Sequence, residues 1–241
     1  MDQFKFSLGP FEFFASIIGG IPLCLAGYFL YSPIDSLKPE WMIFQEGNLV
    51  AIAFVALGVS YVISSTLQGF TWQYFRRLSK LFNCNYRYFL GSFIREKQRQ
   101  LQAMAQPIAL DALSFEARLV FLLQKHIGIP EKMHWMDARV TAYMREHNKQ
   151  AVLNRAERHL AVHIMHRTWS FGFCVLGFVL LLNPFRLAHH SLELWLLPFV
   201  AWLFAYFSFA MALSFKRWHN QVLLLGFYFA AMNQDEGTTT R

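Results

Sequence analysis

Four stretches of the chain run without a formal charge for about the length a helix needs to cross a bilayer. A hydrocarbon core about 30 Å thick takes about 20 apolar residues in helix. The first stretch is residues 13–34, between Glu12 and Asp35. The second is 47–75, densest over 49–67. The third lies between Arg167 and Arg186, with 169–182 its apolar part, and the fourth between Glu193 and Lys216. The pattern predicts an all-α membrane protein with four transmembrane helices and a helical domain between the second and third. Asn183 and Pro184 are expected to cut the third span short. The second is expected to continue as helix through Arg76, Arg77 and Lys80. Gly19, Gly20, Pro22 and Gly27 point to a kinked, closely packed first span. Asp2, Lys5 and Glu12 precede it where a leader would be basic, so it is read as retained.

The domains expected are a first helix pair (1–75), a basic helical domain (76–167), a second helix pair (168–217) and a C-terminal part (218–241). Within 76–167 no run of alternating β-branched residues and no Asn-Gly turn suggests a sheet. A Gln/Ala/Leu-rich helix over 98–105 should break at Pro107. Leu113, Ala117, Val120, Phe121 and Gln124 form a helical stripe that should stop near Gly128, with Pro130 beyond it. Pro130 then suits the start of a long helix over 131–158 that runs on into the third span. Residues 218–232 are apolar and uncharged but too short to span. They are expected to dock on the helical domain, with an interfacial position as the alternative. A polar tail, 233–241, should fray.

Composition strengthens the membrane reading. Of 241 residues 55% are hydrophobic and only 15% charged, with 26 Phe, and mean hydropathy is +0.29. Disorder and coiled coil are excluded as the main character. Charge then orients the spans. Residues 76–167 carry 16 Lys and Arg against 7 Asp and Glu, more than the whole chain's +7. By the positive-inside rule that segment and both termini face the cytoplasm, across an inner membrane. Five Trp fall near the expected interfaces, Trp41 and Trp195 outside, Trp72, Trp169 and Trp218 inside. Cys24, Cys84 and Cys174 match no CxxC pair and suggest neither a disulfide framework nor a thiolate metal site.

Candidate chemistry is sparse. His159, His163 and His166 follow offsets of four and three, which place them on one helix face where a metal could be shared. Arg155, Arg158 and Arg167 make that setting electropositive, which disfavours a cation, and a pH-sensitive face is the competing reading. His189 and His190, with Glu193, are a weaker version of the same arrangement. Arg76, Arg77, Lys80 and Arg87 are interleaved with aromatics. Bases beside an inner-leaflet helix end attract anionic lipid, which outweighs the nucleic-acid reading. Gly58, Ser60, Ser64, Ser65 and Gln68 give the second span a small, polar face, suited to helix packing, homo-oligomerisation or a pore lining.

No P-loop, GxGxxG, HExxH or GxSxG occurs, and the spans contain no Asp, Glu, Lys or Arg. No cofactor and no catalysis are expected. The functional expectation is a non-enzymatic, homo-oligomeric multi-pass protein acting with a cytoplasmic partner. It would be either a membrane-perturbing effector of the toxin or defence type, or a scaffold or assembly subunit without a pore. A metal- or pH-responsive membrane protein is the further alternative.

Topology is the first testable outcome. Reporter fusions at Gln124 and Arg241 should read as cytoplasmic, and fusions at Lys38 and His190 as external. An external signal at Gln124 would reverse the orientation.

Overall fold

A computed structural model describes residues 10–31, 49–84, 94, 98–99, 113–130, 135–187 and 192–239. Its elements are α1 (Pro10–Tyr31), α2 (Leu49–Thr66), α3 (Gln68–Leu81), α4 (Phe115–His126), α5 (Met136–Glu146), α6 (Gln150–Leu187) and α7 (Leu192–Thr239). No strand occurs among the described residues. α1 over Phe11–Tyr31, α6 over Gln150–Arg186 and α7 over Leu194–Gln234 are long and apolar enough to cross a membrane. The four expected spans therefore become three, or four if a bent pair, Phe54–Thr66 with Gln68–Leu81, is one span. α7 has 48 residues, about 72 Å at 1.5 Å each, over twice a bilayer core. Within these helices, 11–31 and the charge-free stretches between Arg167 and Arg186 and between Glu193 and Lys216 come close to a bilayer core in length.

The chain divides into two compact units, Met1–Cys84 with Ala161–Ser214, and Asn85–Leu160 with Phe215–Arg241. The first unit is built with its small residues inside. Ala15, Ser16, Gly19, Gly20, Ala26, Ser60, Ser64, Ala201, Ala205 and Ser208 are buried, while Phe14, Phe54, Val62, Phe178, Phe199 and Phe207 are exposed. That is the distribution expected where the solvent is lipid and helices associate by close packing.

The closest approach centres on residues 17–23 of α1. A Cβ on Gly20 would fall on the Ser60 backbone carbonyl of α2, and the Ser60 hydroxyl donates to the Ile17 carbonyl. On α6, a Cβ on Gly172 would lie 2.9 Å from Pro22 Cβ. Pro22 stays within the helix and brings no N–H, so the Ile18 carbonyl one turn earlier loses its usual donor. The Trp169 indole N–H of α6 supplies one at 2.8 Å. At the far end of α1 Arg186 donates to the Leu30 carbonyl at 2.6 Å.

Two expectations about continuity are corrected. The second span does not run straight into the basic residues, because the helix breaks at Leu67 and α3 leaves at 59°. Ser65 donates back to the Tyr61 carbonyl at 2.6 Å and Gly69 follows, the kind of Ser/Gly sequence at which helices bend. The third span is not cut at Asn183, since α6 continues through Pro184 to Leu187.

The second unit has its own core. Leu119, Val120, Leu122 and Leu123 of α4 and Met136, Val140 and Met144 of α5 pack with Leu223, Leu224 and Phe227 of α7. Residues 218–232 are therefore docked, and the helix goes on to Thr239 where fraying was expected. The Ser114 hydroxyl caps α4, accepting from the Ala117 N–H at 3.4 Å, and the helix stops before Gly128 at φ +67°. Leu113, Ala117 and Val120 of the expected stripe are buried together with Leu119 and Leu122–Leu123, while Phe121 and Gln124 are exposed. The long helix expected over 131–158 is two helices. α5 closes with Asn148 at φ +55°, the Lys149 N–H bonded to the Met144 carbonyl and the Asn148 N–H to that of Arg145. This is the Schellman pattern with Asn in the left-handed position. α3 ends the same way at Asn83, φ +49°. Apart from 98–99, the helix expected over 98–105 lies outside the described residues.

Packing at Gly20 sets up a paired test. Gly20→Ala should lower the unfolding midpoint of the detergent-solubilised protein, at a cost of about 1–3 kcal/mol for overpacking. A Cβ on Gly27 meets nothing within 4 Å, so Gly27→Ala should be neutral or gain up to about 1 kcal/mol from helix propensity. Thermal denaturation followed by far-UV circular dichroism checks both.

Candidate functional site

The small polar face of the second span separates into residues with different tasks. Ser60 and Ser64 are buried in the first unit, Ser64 beside Gly19 and Thr168, where a Cβ on Gly19 would lie 3.5 Å from the Ser64 hydroxyl oxygen and 3.3 Å from Thr168 Cβ. Among the described residues the hydroxyls of Ser16 and Ser64 find no hydrogen-bond partner. Gly58 is exposed and open, Ser65 bonds back to its own helix, and Gln68 begins α3. The Ser60 edge is thus occupied by α1 of the same chain, and a contact between copies would need another surface.

The three histidines do not converge. His159 lies against the rings of Phe215 (6.0 Å) and Trp218 (5.9 Å) in the second unit. In the first unit the His163 ring sits 5.0 Å from Phe75, and its Nδ1–H donates to the Ala212 carbonyl at 2.9 Å. His166 stands edge-on to Trp169 at 5.4 Å. Sharing one helix face is not sharing one point, because each ring is claimed by its own aromatic neighbours. Among the described residues no three His, Cys, Asp or Glu are grouped to hold a metal. His189 and His190 lie outside the described residues.

Arg76, Arg77 and Lys80 are exposed along α3, while Thr71, Phe75 and Ser79 on its opposite face are buried. α3 is therefore an amphipathic helix with a basic outer face. Arg87 lies outside the described residues. In the sequence Arg167 reads as the charge that bounds the third span and as one of the bases beside the histidine face. It is 7% exposed, its guanidinium lies 5.4 Å from the Trp72 ring centre, and its Nε finds no hydrogen-bond partner among the described residues. The four-residue spacing of His163 and Arg167, opposite an aromatic helix, was the signal for this cation–π contact.

Sequence reasoning also missed a buried polar group in the second unit. His219 is 6% exposed, and its Nδ1–H donates to the Ala156 carbonyl at 2.9 Å. Nearby, Lys216 pairs with Asp137 at 3.5 Å. Burial foremost, then the Lys216 charge, pushes His219 down to about 4; the bond to Ala156 and the Asp137 carboxylate act the other way. His159 is lowered too, by burial and by Arg155. A histidine after Lys216 and Arg217 reads in sequence as one more surface base.

Comparison with protein-family profiles, curated proteins and solved structures finds no match to the chain.

The His219 environment predicts a pH dependence. Its neutral form is favoured in the folded state, so the unfolded chain takes up the proton first as pH falls below about 6.5. Stability should therefore drop progressively between about pH 6.5 and 4 and level off below, by up to about 3 kcal/mol at 1.36 kcal/mol per pKa unit. His219→Gln should flatten that slope. Chemical denaturation at pH 7.5, 5.5 and 4.5 checks it.

Proposed function

We propose that this chain is a non-enzymatic, multi-pass inner-membrane scaffold, a helical anchor carrying a cytoplasmic helical domain that engages a protein partner. The observation that carries this reading is the inward placement of the polar span residues. Ser16, Ser60, Ser64, Thr168, Ser170 and Ser208 are each at most 5% exposed. They are used between helices, which supports a packed anchor over a wet path, since conduction usually needs polar walls or charged rings. The 16 bases of residues 76–167 support the cytoplasmic assignment of the domain and both termini. A partner-facing role is supported by the apolar side chains that the second unit leaves exposed on α4 and α7, Phe121, Leu225 and Phe229 among them.

One observation favours the second reading, a membrane-perturbing effector. The break at Leu67 joins a span to a basic amphipathic helix at 59°, and a change in that angle would move the Ser60–Ser64 edge.

Membrane potential on induction separates the two. The scaffold leaves potential and growth unchanged, including in Ser64→Leu. Depolarisation on induction, abolished by Ser64→Leu in a variant that still reaches the membrane, would establish the effector instead.

A further inference from the structure

The outer side of α3 carries a feature that neither reading uses. Phe70, Tyr74, Leu78 and Leu81 form one row along the helix, and with Phe171 of α6 they line a groove of about 430 Å³. The Tyr74 and Phe171 rings meet at 5.4 Å, and the Tyr74 hydroxyl lies 3.4 Å from that of Ser170. Tyr74 is therefore held as a wall. Phe70 is 64% and Leu81 76% exposed, so the groove is open along its length. Residues 70 to 81 span about 16 Å at 1.5 Å per residue.

Gln73 and Arg77, four apart on the same helix and both exposed, form one edge of the groove. Among the described residues no acidic side chain lines it. A trough with apolar walls and a guanidinium at its edge suits a molecule with a hydrocarbon chain and a phosphate. Arginine offers two parallel donors to phosphate oxygens, and an amide one turn away can bond the ester or headgroup. We propose that this groove is a binding site for one anionic phospholipid, its acyl chain along Phe70, Tyr74 and Leu78 and its phosphate on Arg77. The chain distinguishes this occupant from a free anion, which would leave the apolar row uncovered. Zwitterionic lipid carries a cation that Arg77 would oppose. The inference rests on the membrane reading of the helices and not on the identity of any protein partner.

Native mass spectrometry of the full chain, purified in non-ionic detergent, tests it with dioleoyl phosphatidylglycerol and dioleoyl phosphatidylcholine as probes. One phosphatidylglycerol per chain should be retained in clear preference to phosphatidylcholine. Arg77→Gln should weaken that retention about fivefold, the effect of losing one interfacial base. Arg217→Gln, which removes the same charge from a residue that does not line the groove, should leave it within twofold. Millimolar inorganic phosphate should not displace the lipid. Equal retention of the two lipids, equal loss in both variants, or displacement by phosphate alone would overturn the site. A chain that stays monodisperse without detergent would instead overturn the membrane reading itself.

Discussion

Everything in the first unit depends on how closely α1 can approach its neighbours. Between helices in lipid the hydrophobic effect supplies little, because the surrounding tails are as apolar as leucine. What remains is van der Waals contact, interhelical hydrogen bonding and the absence of side chains that would hold backbones apart. Residues 17–23 combine all three. Gly20 lets the Ser60 carbonyl lie against α1, Gly172 admits Pro22, and Trp169 satisfies the carbonyl that Pro22 leaves without a donor. In hydrocarbon an unsatisfied carbonyl costs several kcal/mol. The proline is tolerable because an indole from another helix, 151 positions away in sequence, reaches it.

The same constraint decides how the hydroxyl groups of the second span should be read. A serine inside a span is an ambiguous signal, since it suits a wet lining and a dry helix contact equally. The arbiter is the partner residue. Ser60 faces Gly20 of α1, where no side chain stands in the way, and Ser64 faces Gly19 before it. A pore through this edge would have to separate α1 from α2 and give up that contact. Gly58, open on the far side of the same helix, shows that small size alone does not mark an interface.

Much of this was legible in the sequence. Charge-free length found α1, α6 and α7, and the Gly128 stop and the docking of residues 218–232 followed from capping and hydrophobicity. The breaks were harder. Asn148 and Asn83 end helices through a left-handed backbone position that glycine usually takes, so a search for Gly and Pro passed over both. Leu67 breaks a helix although it is a good helix former, because the Ser, Thr and Gly around it set the local geometry. The opposite error came from Pro184, which stays inside α6. The histidine face was legible as a face but not as a site. Which ring a histidine meets depends on Phe75, Phe215 and Trp218, which belong to other helices, and only Trp169, one turn along from His166, is local. The sequence offered even less about His219, whose burial exists only once α7 packs on residue 156.

The placement of arginines on α6 extends the argument from contacts to depth. Arg167 and Arg186 are 19 residues apart, about 28 Å along the helix axis, close to the 30 Å of a bilayer core. Each is held by a contact that a shift would break. Arg186 bonds the Leu30 carbonyl, and Arg167 lies over the Trp72 ring. Long basic side chains at a span end keep their stems in the apolar zone and their charge near the interface. Sliding α6 by one turn in either direction would draw one guanidinium about 5 Å into hydrocarbon, where a charge costs several kcal/mol. The pair therefore sets the register of α6 against α1 and α3, over an interval that matches a bilayer core in length. The charge-free interval first noticed in the sequence is the length over which that balance holds.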